Sequence, residues 1–378
     1  MAGGLAVGLA AGWNIANTGA AAGVLHHAYG RSLPAIGLLT TALFATHFAA
    51  QIPGGRLIDR LGARRVGLAA LAVIAAGNAL ALAAPVYWLA LLARLLIGLG
   101  TGGGFVAGSD WVRAAGGSTA AQGIYGGVSV GGGGLAIGVV PLLTPALHWR
   151  SPFTTAIVVA GACALVALVP IALERPKRHP ATVASAASRL RSLWPLAAVH
   201  TASFGLSVIA GNWVVSLLRD DGVSRRAAGA IGALTLLGGL ATRPLAGLAV
   251  GRYPAATIRL LGFSIVVGAA GAALLALPVP VAALALAAAA LGLAAGVPFA
   301  SVFRGAQQLF PESPAAAVGV VNSAATFAIL AATPLVGLTF SLPGHGRIGF
   351  GTIAAAWALT LAAIPRAKRS LAAATVIG

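Results

Sequence analysis

The chain has 378 residues, of which 59% are hydrophobic and only 8% are charged, and its mean hydropathy is +0.95. No soluble domain of this length has such a composition, so the sequence predicts a polytopic membrane protein. The formal net charge of +18 does not indicate nucleic-acid binding, because the arginines stand singly or in short clusters between apolar segments.

Cysteine and glycine usage excludes several kinds of site. Cys163 is the single cysteine, which excludes an internal disulfide and a cysteine metal cluster. The glycine runs at 98–104 and 126–138 are not phosphate loops, because they lie inside apolar segments and no Lys-Ser/Thr pair follows them. A nucleotide-driven pump is therefore excluded. We predict that the protein is not an enzyme and uses no metal or cofactor.

Apolar segments of about 20 residues follow one another along the chain and predict an all-α membrane protein of twelve transmembrane helices rather than a β-barrel. The predicted segments are 4–26, 34–56, 66–84, 86–109, 122–144, 152–173, 194–217, 228–250, 257–277, 281–303, 315–340 and 348–365. The polar, basic stretch 174–193 is the longest connection. We therefore predict a six-helix bundle at 1–173, a cytoplasmic linker at 174–193 and a second six-helix bundle at 194–378.

Lysine and arginine positions predict the orientation in the membrane. If both termini are cytoplasmic, 16 of the 24 Lys and Arg residues fall in inner loops and the C-terminal tail, and 6 fall in outer loops. The excess of arginine over lysine, with abundant alanine and glycine, is typical of a GC-rich bacterial genome. We therefore predict a multi-pass protein of the bacterial inner membrane. The first residues lack a basic n-region, so we expect no cleavable signal peptide.

The two halves of the sequence repeat one another at a constant offset of 192 residues, without a gap. Such a repeat is typical of two six-helix halves related by an axis along the membrane normal. In the second copy Gly251 stands where the first has Asp59, so the carboxylate is present in one half only. The matched pairs are Gly30 with Gly222, Ser32 with Ser224, Gly37 with Gly229, Gly55 with Gly247 and Arg60 with Arg252.

A short charged loop is predicted at 54–65, between the second and third segments, and reads GGRLIDRLGARR. Its pattern, G-x-x-x-D-R-x-G-x-R-R, resembles the signature loop between helices 2 and 3 of the major facilitator superfamily. Arg94-x-x-x-Gly98-x-Gly100 and Trp149-Arg150-x-x-Phe153 resemble two further motifs of that family. The resemblance covers essentially the whole chain and implies a central cavity, alternating access and, usually, a monomer. The signature residues are Gly55, Asp59, Arg60, Gly62, Arg64 and Arg65.

Charged residues at the predicted cytoplasmic end of helix 4 lie on the same side of the membrane as Asp59. They are Asp110 and Arg113. In the superfamily, charges at this level hold the two halves in the outward-facing state. The resemblance therefore implies a gating network of Asp59, Arg60, Asp110 and Arg113. The alternative is helix capping by the acids and lipid-surface attraction of the arginines.

Arg94 and Arg243 fall within predicted spans, where a charge is costly unless it faces a wet cavity or a partner. None of the 6 acidic residues falls at mid-membrane, so a cavity in this protein would be neutral to positive and would favour an anionic or polar solute. The alternative roles are an arginine that braces a helix, a packing histidine and asparagines bonded between helices. The predicted substrate contacts are Arg243, Arg94, Gln51, Asn17, Asn212, Trp213 and His47.

The glycine-rich run that begins at Gln122 resembles a signature of the nitrate/nitrite porters, which bind their anion between arginines on helices 2 and 8. Arg243 fits the helix 8 position, whereas its repeat mate is Gln51. A small polar or anionic solute, moved with a coupling proton or ion, is the primary hypothesis. A multidrug or hydrophobic-compound efflux transporter is the rival, although the antiporter motif of helix 5 is missing. A non-transporting membrane sensor of the same fold is the third hypothesis.

Overall fold

The computed structural model describes residues 1–169 and 186–377. Within these ranges the chain forms α-helices, short 3₁₀ turns and a π-helical turn, with no β-strand. The α-helices are α1 Ala2–Ala20, α2 Ala22–Tyr29, α3 Leu33–Leu61, α4 Ala63–Leu82, α5 Tyr87–Ala114, α6 Thr119–Leu147, α7 Ser151–Leu168, α8 Ala186–His200, α9 Ser207–Asp220, α10 Arg225–Arg252, α11 Thr257–Leu275, α12 Val281–Gly296, α13 Phe299–Leu309, α14 Pro314–Leu338, α15 Arg347–Leu359 and α16 Ile364–Ile377.

The prediction of twelve transmembrane helices is confirmed. Ten helical stretches among the described residues are long and apolar enough to cross a membrane. One of them, 119–168, has 50 residues and turns at His148–Arg150. At about 1.5 Å per residue it measures roughly 75 Å, enough to cross an apolar layer of about 30 Å twice. The first predicted segment, formed by α1 and α2, completes the twelve.

Two predicted connections differ from the structure. Residues 54–65 were predicted as a loop, but α3 continues to Leu61 and α4 begins at Ala63, so that Gly62 alone separates them. Gly62 has a φ of 88°, which a glycine adopts without a steric penalty. The predicted linker 174–193 is the second case, because α8 already begins at Ala186 and residues 174–185 lie outside the described ranges.

The chain forms two compact units. The first comprises Met1–Gly117, the described part of Val128–Thr182, and Glu312–Gly319. The second comprises Ser118–Gly127, the described part of Val183–Pro311, and Val320–Gly378. Each unit thus includes the first turns of one helix, α14 or α6, whose remainder belongs to the other unit.

The internal repeat is visible as the same local structure before α3 and before α10. Gly30 and Gly222 both adopt a positive φ, of 58° and 81°. Two residues later Ser32 and Ser224 cap the following helix, each accepting a hydrogen bond from the amide three residues on, at 3.4 and 3.3 Å. The 192-residue offset therefore describes equivalent structural positions, and the two halves are pseudo-symmetric six-helix bundles.

Small residues allow the helices of the first unit to approach closely. A Cβ atom at Gly102 of α5 would lie 2.5 Å from the carbonyl oxygen of His47 on α3. Gly98, one turn earlier, lies equally tightly against Leu43 and Thr46 of α3. Gly98 and Gly102 are thus packing residues, which allow α5 to lie close to α3.

Candidate functional site

The second unit contains a buried arginine with unused hydrogen-bonding capacity. Arg243 lies on α10, is 4% exposed, and donates from Nη1 to the carbonyl oxygen of Gly126 at 3.0 Å. Its Nε atom has no hydrogen-bond partner among the described residues. None of the acidic residues that the structure describes forms an ion pair with it. A buried guanidinium without a counter-charge is costly, so Arg243 is a candidate anion contact.

Two aromatic rings hold the Arg243 guanidinium. Its Cζ atom lies 4.6 Å from the ring centroid of Phe299 and 5.8 Å from that of Phe204. Both distances are within cation–π range, where the negative ring face stabilises a cation. The rings provide this stabilisation without occupying an N–H group. The buried Nε atom therefore keeps its N–H group without an acceptor among the described residues.

His200 and Asn322 form a second polar pair beside Arg243. Nε2 of His200 lies 3.0 Å from Oδ1 of Asn322, and both residues are fully buried. Nδ1 of His200 and Nδ2 of Asn322 have no partner in the described part of the chain. Arg243 acts on His200 electrostatically, and both residues lie against the rings of Phe204 and Phe299. Arg243, His200 and Asn322 are hereafter the Arg243 cluster.

Aromatic residues from three helical segments enclose this cluster. His200 stacks on Phe204 with ring centroids 5.5 Å apart and an interplanar angle of 20°, and Phe303 lies 5.0 Å from it. Phe299 and Phe303 are 4.4 Å apart, and Tyr125 of α6 lies 6.4 Å from Phe299. The polar atoms without partners thus face apolar, flat surroundings that strengthen electrostatic attraction to a ligand.

The helical backbone changes to a wider π-helical turn directly after His200, the last residue of α8. A π-helical turn, Thr201–Leu206, follows directly and leads into α9. Such turns are uncommon and occur often at functional sites, because the extra residue re-aims the side chains around it. Here Phe204, inside the turn, stacks on His200. The π turn therefore builds the part of the cluster that lies on this segment.

Arg94, the other arginine within a span, has a different environment in the first unit. It is fully buried on α5 and donates to the carbonyl oxygens of Leu39 at 3.1 Å and Asn14 at 2.9 Å, and to Oδ1 of Asn17 at 3.2 Å. Asn17 also donates to the carbonyl oxygen of Pro152 at 2.9 Å. These contacts join four helices, and they favour the bracing role for Arg94 and Asn17.

Two predicted contacts lie one turn apart on α3. His47 is buried, with Nδ1 3.0 Å from Oγ1 of Thr101. Gln51 is fully buried, and both polar atoms of its amide have no partner among the described residues. An unpartnered buried amide is unusual, so Gln51 keeps the capacity to bind a polar ligand, whereas His47 has its bond already.

The predicted contacts on α9 lie outside the Arg243 cluster. Asn212 is exposed. Trp213 donates from Nε1 to the carbonyl oxygen of Thr333 at 2.8 Å and lies against Phe340, with ring centroids 5.3 Å apart. Trp213 thus fastens α9 to α14 within the second unit.

The signature carboxylate caps a helix. Oδ1 and Oδ2 of Asp59 accept hydrogen bonds from the amides of Ala315 and Ala316, each at 3.1 Å, in the first turn of α14. This position satisfies two orphan amides and places a negative charge at the positive end of the helix. Gly55, one turn earlier, allows the approach, since a Cβ atom there would lie 2.6 Å from Cα of Ala316.

The other signature residues separate into bonded and exposed groups. Arg113 donates to Oδ1 of Asp110 at 2.6 Å along α5, and Arg64 donates to the carbonyl oxygen of Leu168 at 3.0 Å. Arg60 and Arg65 are exposed. Asp110 and Arg113 also act on Asp59 electrostatically. The four residues of the predicted gating network thus include one ion pair and one helix cap.

The predicted substrate contacts did not include His200 or the aromatic residues of the cluster, whereas Asn322 is one of the span asparagines that the sequence offered for a polar ligand or for bonding between helices. His200 was visible as an ionisable residue inside a span. The spacings His200 to Phe204 and Phe299 to Phe303, four residues each, place each pair on one face of a helix. That pairing was a signal in the sequence, but the meeting of these two faces with Arg243 depends on the packing of α10 and α13.

Comparisons with known proteins agree on one family. The family model described as Major Facilitator Superfamily matches residues 4–334. No curated protein matches the chain. Similar solved structures include the human organic anion transporter MFSD10 (TETRAN), with 17% identity and a TM-score of 0.72. FucP, an MFS transporter in the outward conformation, has 16% identity and a TM-score of 0.75. Each comparison covers 96% of this chain and 97% of the other.

Proposed function

We propose that this protein, which belongs to the Major Facilitator Superfamily of secondary transporters, carries a small anionic solute across its membrane by alternating access. The observation that supports an anion is the buried Arg243 guanidinium, whose Nε has no partner and which has no carboxylate among the described residues as a counter-charge. An anion that binds there supplies both the missing acceptor and the missing charge.

The solute binds with its anionic group on the Nε edge of Arg243. Phe299 and Phe204 contact the guanidinium without accepting its N–H groups, so the unpartnered Nε is the proposed donor to a carboxylate or a planar inorganic anion. Asn322 offers a second N–H group from Nδ2. Within the first unit, considered by itself, Gln51 is proposed as a polar contact, because its buried amide is unpartnered among the described residues. Arg94 and Asn17 brace helices of the first unit.

Two classes of anion fit this chemistry. A nitrate-like ion is compatible with the resemblance to the nitrate/nitrite porters, although Gln51 takes the place of their second arginine. An organic monocarboxylate uses the aromatic surroundings as well, because Phe204, Phe299 and Phe303 can pack against an apolar body. The human organic anion transporter MFSD10 has the same fold, so this fold accommodates organic anions.

Efflux of hydrophobic compounds is the second candidate function. The rings around Arg243 support it, since they would also pack against a lipophilic molecule. The arginine counts against lipophilic cations, which like charge would repel. A sensor of the same fold would bind its ligand without measurable flux in liposomes.

The transport cycle and the setting of the protein are proposed from the same features. The proposed gating network consists of Asp59, Arg60, Asp110 and Arg113, and its contacts, the Asp59 cap on α14 and the Asp110–Arg113 pair, break in another state of the cycle. Both termini are cytoplasmic, the membrane is the bacterial inner membrane, and the protein acts as a monomer, with the lipid bilayer and the solute as its partners.

A thermal-shift screen of purified protein tests the anion. Sodium nitrate, sodium acetate and sodium benzoate are compared with uncharged benzamide and with tetraphenylphosphonium, because ligand binding raises the melting temperature by mass action. We expect an anion to stabilise the wild type and Arg243→Lys more than Arg243→Gln. Arg252→Gln, an exposed arginine of the same helix, is the matched control and keeps the full shift. Equal stabilisation of Arg243→Gln would refute the proposal, and a response to tetraphenylphosphonium alone would favour efflux.

A further inference from the structure

Three polar atoms without partners belong to the Arg243 cluster, and they are chemically unequal. Nε of Arg243 and Nδ2 of Asn322 carry hydrogens and can donate to an anion. The third is Nδ1 of His200. All three residues are buried and come from α10, α14 and the end of α8.

The bond between His200 and Asn322 determines which nitrogen of the ring carries the hydrogen. Nε2 of His200 faces Oδ1 of Asn322 at 3.0 Å, and an amide oxygen only accepts, so Nε2 is the donor. In the neutral ring Nδ1 therefore presents a lone pair. A lone pair repels an anion, so the neutral His200 opposes the ligand that Arg243 and Asn322 attract.

A proton on Nδ1 removes this conflict. It turns the lone pair into a third N–H donor and adds a positive charge to the cluster. Without an anion, the same proton would place two cations against the shared rings of Phe204 and Phe299, because Arg243 is the charged group that acts on His200. Proton and anion thus each favour the binding of the other, and linkage makes the effect reciprocal.

The groups around His200 do not offer another site for this proton. Arg243 faces it from α10, and Tyr125 of α6 faces Arg243. From α13 it meets Phe299 and Phe303, and from α14 Asn322. None of these is a carboxylate, so within the described surroundings the lone pair on the imidazole of His200 is the site where a proton can bind together with an anion.

We propose that His200 is the proton-binding residue of this transporter, and that loading of the anion takes up one proton from solvent onto Nδ1. The inference rests on the anion site at Arg243 and adds the coupling ion. A monoanion and a proton then cross together as a neutral pair. The N–H bond formed at Nδ1 on loading breaks on release, when the proton returns to solvent on the other side.

Isothermal titration calorimetry of the wild-type protein tests the coupling directly. Sodium benzoate and sodium nitrate are titrated at about pH 7 in Tris and in triethanolamine, two cationic buffers with different ionisation enthalpies. The difference in observed enthalpy gives the number of protons taken up. We expect close to one proton for each anion bound, and an affinity that falls about tenfold per pH unit where His200 is neutral.

The variants connect the proton to His200. His200→Gln should bind the anion more weakly, without proton uptake and with an affinity that does not change with pH. His27→Gln, an exposed histidine, is the control and should match the wild type. Arg243-dependent binding without proton uptake in the wild type would overturn the inference and leave the anion function standing. Uptake that persists in His200→Gln would overturn it too, and absence of any anion binding would remove both proposals. The number of protons taken up by the wild type is measured without any variant, so this test does not depend on whether a variant folds.

Discussion

The carboxylate of Asp59 accepts a hydrogen bond from the amide of Ala315 at 3.1 Å, although the two residues are 256 positions apart. The second carboxylate oxygen accepts from the next amide, so one side chain caps α14 from another helix. The charge predicted as part of a gate is thus also a helix cap.

Loss of this cap should destabilise the protein. Asp59→Ala removes both acceptors and the favourable charge at the helix end, so we expect a loss of about 1–2 kcal/mol in unfolding free energy. Asp59→Asn keeps one acceptor and should lose less. Melting temperatures of the purified variants in detergent rank them by stability. Asp220→Asn, an exposed acid, is the control, and an Asp59→Ala variant as stable as this control would contradict the capping role.

Gly55 should tolerate no side chain. A Cβ atom there would lie 2.6 Å from Cα of Ala316, so Gly55→Val forces α3 and α14 apart and should cost about 1–3 kcal/mol. Its repeat mate Gly247 should behave alike, because a Cβ atom there would lie 2.7 Å from the carbonyl oxygen of Thr119.

Gly251→Ala is the matched control for this pair, since no atom lies within 4 Å of its added Cβ. Thermal unfolding of the three variants is the measurement. Equal melting temperatures for Gly55→Val and Gly251→Ala would show that the close approach is not maintained in solution.

The two buried arginines should separate stability from ligand binding. Arg94→Gln loses three hydrogen bonds and leaves backbone oxygens without partners, so we expect a loss of about 2–4 kcal/mol in stability. Arg243→Gln loses one hydrogen bond and should unfold closer to the wild type. The anion response should show the opposite pattern. Both variants are measured in one thermal-shift series. If Arg243→Gln loses more stability than Arg94→Gln, Arg243 is the bracing arginine and the two assignments are reversed.

The ion pair between Arg347 and Asp221 should contribute little. Both side chains are partly exposed, and the shorter of two contacts measures 2.7 Å. A double-mutant cycle of Arg347→Gln and Asp221→Asn should give a coupling energy of about 0–1 kcal/mol. The coupling should be smaller at about 1 M NaCl than at about 0.1 M, because salt screens exposed charges. A coupling well above this range would indicate that the pair is desolvated.

Some local features could be predicted because residue type and spacing decide them. The repeat of Ser32 at Ser224 marked two equivalent helix starts, since a serine cap acts on the next few residues only. The predicted end of helix 4 near Asp110 and Arg113 agrees with α5, which ends at Ala114. The pattern around Asp59 was also recognisable, although its loop is almost entirely helical. The helix continues there because α3 is packed against its neighbours. The charged residues of this stretch indicated a loop instead.

The sequence by itself determined the class of the protein, its twelve helices, the internal repeat and the family, because apolar length, capping residues and signature spacing act locally. Only the tertiary structure decided how each of the two buried arginines is bonded. Arg94 and Arg243 are the same residue type in similar apolar contexts. Arg94 donates three hydrogen bonds to oxygens on α1 and α3 and leaves Nη2 without a partner, whereas Arg243 donates one, to the carbonyl oxygen of Gly126, and lies against the rings of Phe204 and Phe299. Backbone oxygens brought by distant helices have no signature in the sequence, so this difference arises from packing alone.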